Sequence, residues 1–408
     1  MLMTSDFYNS FLEKTGTSYL KGHLPSEINI YTFKSDYVHP VKHGRFEAGV
    51  KFSYVNNDNL VNYERFVNNK WEVDNIRSNH FIYDENINAA YVNFNTEIKK
   101  WTFHAGLRVE KTIAKGNQVI THSTFKRDTT NLFPTAFVSY KLNEKNSLTV
   151  SYGRRISRPN YQDLNPFTYF LDSLSYRQGN IYLKPQYTHN IELTHSFNSK
   201  YITTLNYNTT DDVISQIIKP EPNSKIRFLT VDNVAKFQNM GISITAPVII
   251  TKWWNANIFT NVFNNHYEGV YDTINIDLSF TSFMVNVTNN FTLGKGFTGE
   301  ISGFYRHKGL NNLTRMEPIY QMSLGVQKNV MKGKGTVRLN VRDPFAWQKF
   351  EGLTKYGRID GNFLARPDIR QVTATFTWRF GQNGQQNQPR RRNSSSQDEQ
   401  NRVGGANP

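Results

Sequence analysis

The sequence predicts an all-β chain whose antiparallel strands form a transmembrane barrel. Three observations carry that prediction. Apolar and polar residues alternate with period two along most of the chain, short turns alternate with long polar segments, and aromatic rings gather beside the short turns. The chain has 408 residues, 38% of them hydrophobic, and a mean hydropathy of -0.59. No stretch of about 18 uncharged apolar residues occurs, which excludes a transmembrane helix. A barrel survives that test, because lipid-facing apolar and lumen-facing polar residues alternate and average to a low hydropathy.

Residues 1–25 lack a basic start followed by an apolar run, so they are not a secretory signal, and an exported chain would need one upstream. The barrel is expected over 26–380. In "TAFVSYKL", Ala136, Val138, Tyr140 and Leu142 fall on one face, against Thr135, Phe137, Ser139 and Lys141. "SLTVSYG", "SFMVNVTNNFTL" and "GTVRLNVR" repeat the pattern; in the last, Val337, Leu339 and Val341 oppose Arg338, Asn340 and Arg342. One face is dry and the other wet.

Short turns rich in Asn, Lys and Gly fall at Lys99–Lys100, Asn143–Asn146, Asn198–Lys200, Thr251–Lys252, Gly294–Gly296 and Lys332–Gly335. Roughly 35 to 55 residues separate them, enough for two spanning strands of about ten residues and a longer loop. Long loops are expected near Asn57–Asn79, Ala114–Thr130, Arg155–Tyr187, Lys219–Lys225, His307–Glu317 and Asp343–Asp368. The count supports about 14 to 16 strands. Trp101, Tyr140, Tyr201, Trp253 and Trp254 lie within a few residues of short turns, where amphipathic rings suit a membrane interface. In the last alternating segment, "QVTATFTWRF", the outward series ends on Phe376, Trp378 and Phe380. The polar, low-complexity residues 381–408 are expected to be a disordered tail on the short-turn, periplasmic side, and Arg390–Arg392 a solvated run within it.

The blocks "RRISRPNYQDLNPF" and "GNIYLKPQYTHNIEL", together with Phe81–Thr112, resemble the outer membrane β-barrel family of Bacteroidetes, which is similar to the barrel of TonB-dependent receptors. The resemblance runs from about Arg45 to Phe380. It implies a barrel of about 22 strands filled by an N-terminal plug. This sequence departs from that pattern in its strand count and displays no plug, so it is expected to be the C-terminal portion of a longer receptor or to start from a gene start placed too late, with a complete smaller barrel as the alternative. The resemblance also implies that the aromatic-ending segment Phe376, Trp378, Phe380 is read by the barrel assembly machinery. Further implied partners are outer-membrane lipid, TonB acting through a plug outside this sequence, and a surface lipoprotein.

The function classes narrow accordingly. With no cysteine, the chain has neither disulfides nor thiolate chemistry. The net charge of +15 is spread along strands and turns rather than gathered in a patch, which speaks against nucleic acid. No HExxH, GxSxG or P-loop pattern occurs, so neither an enzyme nor a cofactor or metal site is expected. The reading is a receptor or transporter barrel that binds a solute at long extracellular loops. A structural or adhesion barrel, or a soluble carbohydrate-binding β protein, are the alternatives.

Candidate ligand-binding residues lie in the insert between Arg155 and Tyr187. Guanidinium groups at Arg154, Arg155 and Arg158 suit bidentate capture of an anion, or else pair with Asp163 and lumen acids to brace the insert. Tyr161, Tyr169, Tyr176 and Tyr182 either stack on a ligand or form a small core for the insert itself.

Overall fold

The computed structural model describes residues 1–120, 122–172, 175–221, 227–271, 273–356, 359–380 and 394–403. Among these residues, fifteen strands form one antiparallel wall. They are β1 (Ser26–Val41), β2 (Gly44–Val67), β3 (Asn79–Ile98), β4 (Trp101–Gln118), β5 (Ser123–Lys141), β6 (Asn146–Ser157), β7 (Gln186–Phe197), β8 (Tyr201–Pro220), β9 (Arg227–Ile249), β10 (Trp254–Tyr271), β11 (Ile274–Gly294), β12 (Phe297–Arg306), β13 (Ile319–Val330), β14 (Gly335–Arg342) and β15 (Gln371–Trp378). Each pairs with the next in chain order, the simplest up-and-down topology. Among the described residues, β1 and β15 are each paired on one side only within this wall.

Alternation sets the two faces. Along β2, Lys51, Ser53, Val55, Asn57, Asn59, Val61 and Tyr63 point inward and are buried, while Phe52 and Tyr54 between them are exposed. The outward apolar series Phe46, Ala48, Val50, Phe52, Tyr54 gives way to Asn56 and Asp58. On β3, Phe94, Val92 and Ala90 pair with Phe46, Ala48 and Val50 at the same heights, and Asp84 faces Asn56. The apolar band thus ends near Tyr54, and the strands run on beyond it.

This extension corrects the expected loops. Asn57–Val67 and Ala114–Gln118 are strand rather than loop; above the band Asn57 and Asn59 interrupt the inward apolar series of β2, which weakens the alternation. All six short turns lie where expected, and a seventh connects β1 to β2 at Lys42–His43. Their backbone requires left-handed residues: Lys99, Asn198 and Ser199 have φ of 56°, 53° and 54°. At the β11–β12 turn Gly294 and Gly296 reach φ of 81° and 78°, a conformation that costs glycine nothing.

At the opposite end the connections build structure of their own. The hairpin Leu2–Tyr8 with Lys14–His23 pairs onto the top of β2 through Leu20↔Arg65, so residues 1–25 extend the wall. Strands Gly309–Asn311, Thr314–Met316, Phe350–Tyr356 and Ile359–Ala365 make a separate four-stranded sheet. Its Leu310 and Leu313 pack with Val213, Ile217, Val234 and Ile276 of the wall.

The expectation of disorder throughout 381–408 needs correction for part of the tail. Ser394–Val403 has a defined place against the inward face and includes the single helical turn α1 (Gln397–Gln400). A polar, charged decapeptide offers no apolar pattern to read; buried charges on the wall supply the missing partners. The remainder of the tail, including Arg390–Arg392, lies outside the described residues.

Candidate functional site: a cationic lumen cavity beneath the long insert

The insert between β6 and β7 carries its own core, as one of its two readings expects. Tyr161, Leu164, Phe167 and Leu183 are buried with Val55, Val61, Tyr63, Phe81 and Tyr83 of the upper wall. Two short strands, Thr168–Phe170 and Ser175–Gln178, pair with each other, and the second also pairs in parallel with the start of β9. The Tyr63 hydroxyl donates to the Thr168 carbonyl at 2.9 Å, and burial pushes its pKa up to about 12. Asn165, with no exposed surface, uses its Oδ1 to accept from the Phe167 N–H at 3.2 Å, turning the chain after Pro166.

Below this lid lies a cavity of about 790 Å³ bounded by β2 to β6 and the tail. Its cations are Lys51, Arg108, Arg154, Arg155, Arg158 and Arg402, and its acids are Glu110, Asp398 and Glu399. The excess of positive charge makes the space attractive to anions. Partners divide the cations into two kinds. Arg158 pairs with Glu110 and also donates to Thr112 Oγ1 at 3.1 Å, while Arg108 donates to Glu110 Oε2 at 2.7 Å. Arg154 lies over the rings of Phe133 and Tyr187, at 5.7 and 4.8 Å from their centroids, and donates to the Leu132 carbonyl at 2.9 Å. These three are braces. Arg155 is exposed into the cavity, and no hydrogen bond or ion pair to it occurs among the described residues.

The other sequence candidates separate in the same way. Asp163 accepts from Arg177 at 2.9 Å and from Asn160 at 3.2 Å, which ties the insert to itself. Tyr169 accepts from Asn165 at 3.3 Å, and Tyr176 stacks on Phe228 with ring centroids 5.0 Å apart. Tyr161 is fully buried, and burial holds its hydroxyl far above the ordinary phenol range; that hydroxyl has no hydrogen-bond partner among the described residues. Tyr182 stands 69% exposed, the one candidate tyrosine with its ring open to solvent.

Sequence reasoning missed Lys51, Glu85, Arg108 and Glu110. Each is a charged residue at an inward strand position, and that alternation was the available signal. Glu85 binds Arg402 of the tail, and Tyr83 donates to it at 3.0 Å.

The aromatic residues beside the turns cluster outward. Trp101 and Tyr140 rings lie 4.3 Å apart, Phe197 and Tyr201 6.0 Å apart, and Trp253 and Trp254 both pack on Phe291. The Trp254 indole N–H donates to Asn289 Oδ1 at 3.0 Å, an apolar body with a polar tip satisfied. Phe376, Trp378 and Phe380 are exposed on the last strand and its end.

The fold has counterparts among solved structures. Over 89% of this chain it matches the ferric yersiniabactin uptake receptor FyuA from Yersinia pestis with a TM-score of 0.56 and 11% identity, covering 55% of that protein. Against the siderophore receptor PiuA from Acinetobacter baumannii the TM-score is 0.55 at 14% identity, with 88% of this chain and 56% of that one covered. For the copper transporter OprC the corresponding values are 0.59, 10%, 88% and 60%. The chain therefore spans a little over half the length of these receptors, and at such identity the likeness is one of fold. No curated protein sequence matches. The model of the outer membrane protein beta-barrel family matches residues 2–378, and the chain, a nearly all-β outer-membrane barrel wall, belongs to that family.

Proposed function

We propose that this barrel serves an outer-membrane receptor or transporter which takes up an anionic solute through its loop end. The observation that carries the reading is Arg155, a cation without a partner among the described residues, facing a 790 Å³ cavity whose other guanidinium groups are held by the wall. Solved barrels of the same fold are named as a ferric yersiniabactin uptake receptor, a siderophore receptor and a copper transporter, which supports uptake as the activity. In this reading the long insert faces the cell exterior and the short turns face the periplasm. Solute enters beneath the insert, and Arg155 and the exposed Tyr182 make the first contacts. Energy would come from TonB, through a plug supplied by further sequence of the same receptor. Phe376, Trp378 and Phe380 would be read by the assembly machinery, and a surface lipoprotein would dock at the loop end. Family membership disfavours the soluble carbohydrate-binding alternative.

The test is titration of the purified protein in detergent with ferric citrate and with a ferric catecholate. Binding of either chelate that weakens at least tenfold in Arg155→Ala is expected. If neither chelate binds, or if the variant binds as the parent does, this reading falls and the structural-barrel alternative replaces it.

A further inference from the structure

The segment Ser394–Val403 is anchored to the inward face at three heights. Ser395 Oγ lies 2.7 Å from Thr32 Oγ1 of β1. Lys51 Nζ of β2 bonds Asp398 Oδ2 and Glu399 Oε1, both at 3.0 Å. Arg402 pairs with Glu85 of β3, lies 4.2 Å above the Tyr161 ring, and donates through Nε to the Pro159 carbonyl at 2.9 Å. The Tyr161 N–H in turn donates to the Arg402 carbonyl at 3.2 Å. Lys51 and Val55 are four residues apart on β2, and Val55 faces Glu85, so the two wall charges are separated by about 13 Å along the strands. The segment presents the opposite signs in matching order: acid to Lys51, then cation to Glu85.

Its described contacts run from the middle of the wall to the long insert. β15 ends at the short-turn side, where the Arg379 N–H donates to the Lys334 carbonyl at 2.8 Å. Within the lumen, Arg402 reaches the underside of the long insert.

Its adhesion is polar. Glu399 and Arg402 are the buried residues of the segment, and Val403, its one aliphatic residue, is exposed. Buried ion pairs exchange hydration for Coulomb attraction at nearly even cost, so they confer register more than strength. Departure of the segment would return Lys51 and Glu85 to lumen water rather than strand them in an apolar core.

We propose that Ser394–Val403 is a detachable strap, a charge-matched peptide that docks in the lumen of its own barrel and holds Pro159–Tyr161 of the insert from below. The strap couples the middle of the inward wall to the loop end, because its release frees the insert and its docking fixes it. This inference stands independently of the solute-uptake reading.

The absence of cysteine allows a clean test in the full chain. In outer membranes, Thr32→Cys with Ser395→Cys should form an intramolecular disulfide under mild copper–phenanthroline oxidation. With Ser395→Cys alone, a hydrophilic maleimide should label slowly. Adding Arg402→Glu should speed labelling at least tenfold, and adding Glu85→Arg to that variant should recover most of the protection. Tryptic cleavage at Arg177 in the insert should accelerate several-fold in Arg402→Glu. Retained heat-modifiability of each variant on gels controls for folding. The strap is overturned by absence of the cross-link, by labelling unaffected by Arg402→Glu, or by an insert whose cleavage does not change. Complete and indefinite protection of the thiol in Ser395→Cys would overturn detachment.

Discussion

Glu110 illustrates how single charges hold this lumen. Its side chain is 4% exposed and satisfies both Arg158, 12% exposed, and Arg108. Glu110→Gln keeps the shape and removes the charge, leaving two guanidinium groups short of a counter-ion. Breaking a buried pair in this way costs about 3 to 5 kcal/mol, reduced here by the wet cavity beside it. A loss of about 2 to 3 kcal/mol in urea unfolding of the detergent-solubilised protein is expected; a change below about 0.5 kcal/mol would show that water already screens the cluster. Asp74, in the connection above β2, makes a pH-dependent counterpart outside the membrane band. Burial pushes its carboxyl up, but hydrogen bonds from Arg77 and the charges of Arg77 and Arg65 outweigh that and hold it below the ordinary 3.8. A lowered native value means that its stabilisation is present above the unfolded range and is lost as pH falls through the native one. Proteolytic resistance of residues 68–78 should therefore fall on acidification below about pH 3.8, and Asp74→Asn should lack that dependence.

Strands inherit their depth from the outward residues. Phe52 lies within the apolar band and Asn56, four residues on, lies past it. Phe52→Arg puts a cation in hydrocarbon and should destabilise by about 2 to 4 kcal/mol, whereas Asn56→Arg should cost about 0 to 1 kcal/mol. Refolding titrations into lipid vesicles measure both, and equal costs would move the band's edge. The same logic explains why β2, with 24 residues, exceeds the roughly ten that a crossing needs. Its upper half buries an inward series from Val55 to Tyr63 against the long insert while its outward side is polar.

Over the whole molecule, the up-and-down wall divides labour between its two ends. Turns with left-handed residues close one end tightly, and inserts with their own cores build the other. A wall of this kind should sediment with the outer membrane and, once its β1 and β15 edges are paired, change gel mobility on boiling, since a closed hydrogen-bonded wall resists detergent until heated. A detergent-independent soluble product would contradict the family assignment. In hydrocarbon the sides of β1 and β15 that are unpaired among the described residues require hydrogen-bond partners.

The strand-by-strand wall, its lipid-facing side and its short turns follow from the residue order alone. Period-two alternation and the Asn, Lys and Gly residues at turns are local properties, legible in Val337–Val341 or in Gly294–Gly296 without any neighbour. Part of the site was legible too: the insert and its arginines stand out, and its aromatic core was one of the two readings. Which arginines are braces and which has no partner among the described residues emerges only from the folded chain, because Glu110, Leu132 and the rings of Phe133 and Tyr187 come from different strands of the wall. Folding also sets Arg402 against Glu85, 317 residues away, and turns Ser394–Val403, which reads as solvated, into part of the lumen. A polar segment carries no record of its partners, since its fold rests on charges that another part of the chain supplies.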